Sequence, residues 1–130
     1  MKPLLLTTAA IEAGAGVALL GVPSRFAQLL FAAPLEGAVA LTVARVGGMG
    51  LLTLAVAAWF ALHDSQSCAA RGLASAMVLY NLGAALILGA AGLRSAPVGI
   101  ALWPVVLLHA GMAAWCATQL LRTAHPATTS

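Results

Sequence analysis

LLLTTAAIEAGAGVALLGV, residues Leu4 to Val22, is a run of apolar and small residues with one carboxylate, Glu12, inside it. Nineteen helical residues rise about 28 Å at 1.5 Å each, close to the roughly 30 Å hydrocarbon thickness of a bilayer. Pro23 supplies the stop, because its nitrogen carries no proton to continue the ladder. Lys2 followed by LLLTTAAI also has the outline of a secretory signal. The apolar run continues past Glu12 to Val22, so the segment reads as a retained helix.

The rest of the chain repeats the pattern. Of its 130 residues 62% are hydrophobic and 7% charged, and the mean hydropathy is +1.03. A domain facing water carries about 25% charged residues. Gly37 to Leu62 contains Arg45 as its only charge, and Gly72 to Leu93 and Val98 to Leu121 contain no formal charge. Strand-like alternation is absent, and Ala, Leu and Gly replace the β-branched and aromatic residues of a barrel. The expected fold is all-α: an integral membrane four-helix bundle forming one domain over residues 1–122, with helices at about 4–22, 37–62, 72–93 and 98–121, and a polar tail at 123–130.

The connections differ in character. Pro23 to Gly37 places Phe26, Leu29, Leu30 and Ala33 on one side of a helix and Arg25, Gln28 and Ala32 on the other, the pattern of a short interfacial helix. His63 to Arg71 is polar, Arg94 to Pro97 is tight, and RTAHPATTS has no apolar period. Lys2, Arg71 and Arg122 fall on the side of the termini, against Arg25 and Arg94 on the other. Positive charge favours the cytoplasmic side, so both termini are expected inside, in a bacterial inner membrane. The net charge of +3 then reflects topology and anionic lipid and calls for no nucleic acid.

Familiar chemistries have no foothold. Cys68 reads as part of the polar connection and Cys116 as part of the fourth helix; neither belongs to a CxxC pair, so no disulfide or metal site is expected. Walker, GxGxxG, HExxH and nucleophile-elbow motifs are absent. His109 with Met112, Met49 or Met77 could form an axial haem pair, but each helix has at most one histidine and methionine is mainly a packing residue. Haem is therefore disfavoured. Trp59, Trp103 and Trp115 suit an interfacial aromatic belt.

Each spanning run carries one polar residue: Glu12, Arg45, Asn81 and His109. Glu12 lies nine residues before Gly21, Arg45 eight after Gly37, Asn81 eleven before Gly92 and His109 ten after Gly99. If those glycines mark membrane faces, the four side chains share a depth within about 4.5 Å. A charge on an isolated helix at mid-bilayer costs about 2.5–3.5 kcal/mol on insertion scales, so it should face protein or water. Glu12 and Arg45 are then expected to form a buried ion pair, with Asn81 and His109 satisfying the remaining groups and Tyr80 about 100° around its helix from Asn81. Small residues beside them, Ala13 and Gly16, Gly47 and Gly48, Ala84 and Ala85, permit close backbone approach. No two of the 13 glycines stand four apart, so there is no strict GxxxG motif.

Two resemblances bear on function. A glutamate in the first of four short helices is similar to the small multidrug resistance transporters, whose membrane glutamate exchanges protons for cationic drugs. Pairing with Arg45 and a lack of aromatic residues around the acid count against that likeness. GVALLGVPSRFAQLLF, Gly16 to Phe31, and ARVGGMGLLTLAVAAWFA, Ala44 to Ala61, resemble the first helix with its interfacial segment and the arginine-glycine second helix of the DoxX-like group of small four-helix bacterial membrane proteins. That resemblance covers about half the chain and implies, for some members, membrane subunits of quinone-linked oxidoreductases.

The leading expectation is a non-enzymatic membrane protein. Its polar layer of Glu12, Arg45, Asn81, His109 and Tyr80 would bind a lipophilic ligand such as a quinone or other lipid, with Arg45 or His109 donating to a carbonyl oxygen. If those residues only hold the bundle together, the protein is an accessory subunit of a homo-oligomer or larger membrane complex, docking through its lipid-facing surface. Two alternatives stand beside these. One is an enzyme using Glu12 and His109 as an acid/base pair with Arg45 stabilising charge; the other is a proton-coupled small transporter.

Overall fold

The computed structural model describes residues 1–95 and 97–124. Within them the chain forms five helices and no strand: α1 (Lys2–Gly21), α2 (Pro23–Phe31), α3 (Ala38–Ala61), α4 (Cys68–Arg94) and α5 (Leu102–Ala124). All but α2 are long and apolar enough to cross a membrane. The four long helices and the short one between the first two agree with the expected all-helical architecture. His125 and the rest of the expected polar tail from residue 125 onward lie outside the described residues.

Several boundaries move for local reasons. The Ser67 hydroxyl accepts the Ala70 N–H at 3.1 Å and caps α4, so Cys68 opens that helix instead of lying in the connection. α5 starts at Leu102 and not at Val98, because the Gly99 and Ala101 N–H groups donate to the Leu30 and Leu29 carbonyls at 2.9 and 3.0 Å. Those two bonds tie the α4–α5 connection to the end of α2. A Cβ on Gly99 would collide with the Leu29 carbonyl oxygen, so only glycine permits this approach. α2 stops at Phe31 because Ala32 turns left-handed at φ 55°. Its inward face also differs from the expected one: Pro23, Ala27 and Leu30 are buried, whereas Leu29 and Ala33 are exposed.

The long helices associate in two pairs. α1 packs along α3 and α4 along α5, with much thinner contact between the pairs. The first pair crosses where two glycines meet. A Cβ on Gly16 would lie 2.8 Å from the Gly48 carbonyl oxygen, and one on Gly48 would lie 2.9 Å from that of Gly16. Side chains at neither position fit, so the backbones touch without a GxxxG spacing. Buried alanines do similar work elsewhere: Ala55 and Ala58 on α3, Ala70 and Ala74 on α4. Bulk faces outward, as at Val39, Phe60, Leu79, Ile87 and Leu93.

The pairs join at their two ends. At the end bearing the termini, Leu4, Met77, Met112 and Cys116 form a buried cluster with Met1, Leu54 and Leu73 against it, and the Met1 ammonium donates to Gln119 Oε1 at 3.2 Å. At the other end α2 touches both α3 and α5. Between these closures the halves stand apart.

The crossing makes a sharp prediction. Gly48→Ala should destabilise the protein by about 1–3 kcal/mol through overpacking, while Gly47→Ala, where a Cβ meets nothing within 4 Å, should be neutral or slightly stabilising. Thermal unfolding of the two variants in detergent reads the difference; equal midpoints would contradict the close approach.

Candidate functional site

The gap between the pairs is a cavity of about 890 Å³. That size lies within the roughly 300–1,000 Å³ of small-molecule sites. Its walls come from α1, α2, α4 and α5, with Leu35 from the α2–α3 connection and Leu51 from α3. Nineteen residues line it, and three of them are polar: Glu12, Tyr80 and His109.

All three sit at the end nearer the termini. From Glu12 to Leu19, and from Tyr80 to Leu88, the lining continues only through apolar residues toward α2. Seven or eight helical residues span about 10–12 Å. Phe26, Leu30 and Phe31 of α2 form the roof. The cavity opens sideways as well, since Leu79 and Ile87 line it yet remain 75% and 72% exposed.

α1 carries Glu12 inward on a regular buried stripe of Leu4, Leu5, Thr8, Ala9, Glu12 and Gly16. The residue is 3% exposed. α4 does the same for Asn81, after Ala70, Ala74 and Met77. The Asn81 amide donates from Nδ2 to the Met77 carbonyl at 2.8 Å, and this leaves Oδ1 as the acceptor for His109 Nδ1, also 2.8 Å away. The imidazole is therefore held with its proton on Nδ1, and its second nitrogen is an acceptor in the neutral ring. The Tyr80 ring stands against the His109 ring edge to face, with centroids 5.8 Å apart and planes at 81°.

Arg45 does not join this group. It is exposed on α3 and forms no ion pair with Glu12. The antiparallel crossing at Gly16 and Gly48, in which Gly16 also meets Leu52, places Leu52 level with Glu12. Arg45 lies seven residues before Leu52, about 10 Å along the axis. The assumption that Gly21 and Gly37 mark one plane fails because α3 extends past the end of α1. Asn81 and His109, on α4 and α5, do come together through the hydrogen bond between their side chains.

Two further expectations change. Asn81 does not line the cavity but holds His109 from behind. Donation to a ligand carbonyl by Arg45 or by His109 Nδ1–H is not available, since Arg45 lies elsewhere and Nδ1–H is committed to Asn81. Met77 and Met112 belong to the buried cluster at the end of the bundle, and among the described residues no three His, Cys, Asp or Glu side chains come together. Cys68 and Cys116 are free thiols. The roof of Phe26, Leu30 and Phe31 was not among the residues expected to meet a ligand, although the apolar spacing of α2 carried the signal. No protein-family model, curated protein or solved structure matches the chain.

The Asn81–His109 relay is testable by nitrogen NMR of labelled histidine. The native protein should show His109 protonated at Nδ1, and Asn81→Leu should abolish that preference. Leaving the His109 donor without its partner should cost about 1–3 kcal/mol in thermal stability.

Proposed function

We propose that the protein crosses a bacterial inner membrane four times, with both termini cytoplasmic, and binds a small lipophilic ligand between its two helix pairs. The ligand's apolar body occupies the length of the cavity and its polar head meets Glu12, Tyr80 and His109. One observation carries this reading: a large, laterally open cavity whose three polar side chains are gathered at a single end. Such a division suits a molecule that is itself divided, because apolar walls accept the body while a few polar groups orient the head. Entry from the lipid follows from the exposed mouth at Leu79 and Ile87. Kinship with the DoxX-like group, and a place as an accessory subunit of a larger membrane complex, belong to the same proposal.

A second reading draws on the fact that Glu12 and His109 line one cavity. The pair would then act as acid and base on a lipophilic substrate. The mass of the ligand distinguishes the two, since a binding protein returns it unchanged and an enzyme returns a product.

Small molecules extracted from protein purified in mild detergent and identified by mass spectrometry test the binding reading directly. A defined lipophilic compound should copurify with the native chain. Gly83 lines the cavity, and a Cβ there meets nothing within 4 Å, so Gly83→Trp should fill the space. That variant should retain its helical circular dichroism and lose the compound, its affinity falling by about tenfold or more, which requires only ~1.4 kcal/mol. Equal recovery from both proteins would refute a ligand in this cavity.

A further inference from the structure

The polar end of the cavity is short of positive charge and of donors. Glu12 is almost wholly buried, yet among the described residues no side chain or backbone group bonds to its carboxyl. Lys2, Arg25, Arg45, Arg71, Arg94 and Arg122 are all exposed. Among the described residues no fully occluded side-chain oxygen lacks a partner, so the unbonded carboxyl oxygens of Glu12 face open space, and the cavity is the space that Glu12 lines. The same lining holds His109, whose donor is spent on Asn81, and Tyr80. Tyr80 is the single side chain here with a hydroxyl proton to offer.

We propose that the head of the ligand is a protonated alkyl amine, drawn to the unpaired Glu12 carboxyl and the acceptor nitrogen of His109 at the polar end of the cavity. This rests on the ligand-binding reading above and names the head that the site selects. An ammonium group supplies both missing items, a positive charge for Glu12 and N–H donors for Glu12 and His109. The Tyr80 ring adds an aromatic surface that favours a cation. A fatty acid would set its carboxylate against that of Glu12. A quinone carbonyl would find one hydroxyl donor, that of Tyr80, among three polar residues of which the other two offer acceptors.

The test uses the full chain in phosphatidylcholine nanodiscs with decylamine, decanol, decanoate and decylubiquinone as probes. Binding to the cavity is taken as the part lost in Gly83→Trp, which removes ordinary partitioning into lipid. Decylamine should bind about tenfold or more tightly than decanol, the scale of a charge-assisted hydrogen bond, and more tightly than decanoate or decylubiquinone. Glu12→Gln, checked for native helical content, should reduce the amine to near parity with decanol. Equal binding of decylamine and decanol, or tighter binding of decanoate or decylubiquinone, overturns the amine and leaves the cavity reading intact. Amine preference that survives Glu12→Gln also overturns the assignment. Loss of cavity binding for all four probes removes both readings. If Glu12→Gln fails to fold, the ranking in the native protein decides alone.

Discussion

The backbone contact between Gly16 and Gly48 sets the geometry on which everything else in this molecule depends. It draws α1 and α3 together until carbonyl oxygens stand where side chains would be. A close crossing of this kind leaves little room for the same faces to engage α4 and α5 at that level. The second pair has its own seam, and the two pairs are held to each other mainly by the buried cluster near the termini and by α2 at the opposite end. The cavity is what remains between two well-packed pairs that meet at their ends. Helices in lipid gain little from burying apolar surface against one another, so close packing and hydrogen bonds decide the arrangement. Good packing within pairs is therefore compatible with a gap between them.

Much of this architecture was legible in the chain. Low charge and four long apolar runs pointed to four helices of spanning length, and Pro23, the polar connection around His63 to Arg71 and the run from Phe26 to Leu30 marked the breaks. The pairing of Asn81 with His109 was legible because each is the polar residue of its apolar run and their helices are joined by a short connection. The depth of Arg45 was not, because α2 intervenes between α1 and α3 and lets α3 begin further out. A connection containing its own helix breaks the link between sequence spacing and depth. The roof was missed because α2 read as an interfacial helix: Phe26 and Leu30 belonged to its apolar face, yet the helix buries Pro23, Ala27 and Leu30 and leaves Leu29 and Ala33 exposed.

Removing Arg45 from the polar layer changes the meaning of Glu12. A buried carboxylate beside a buried guanidinium is a structural tie, and its neighbours have no need of a ligand. A buried carboxyl with no cation in reach is an open valence. The objection that Arg45 would neutralise the acid of a cation-binding site disappears with the pair. The supposed shortage of aromatic residues also eases, since Phe26, Phe31 and Tyr80 all line the cavity.

The two helix pairs treat their polar residues in opposite ways, and the contrast locates the chemistry. In the α4–α5 pair the chain from the Met77 carbonyl through Asn81 to His109 is closed within the pair, each donor matched to an acceptor. Such a relay fixes the imidazole ring and turns its free nitrogen into an acceptor. In the α1–α3 pair the level of Glu12 is occupied by Leu52, which offers no polar atom. Glu12 must therefore look across the gap toward Tyr80 and His109, and the α4–α5 pair presents it with a fixed acceptor instead of a second relay. A bundle built only for stability would have closed that interface with a donor on α3, as a lysine or glutamine near Leu52 could do. The interface left unsatisfied is the one that opens laterally beside Leu79 and Ile87, which is where the proposed ligand would supply the missing donor.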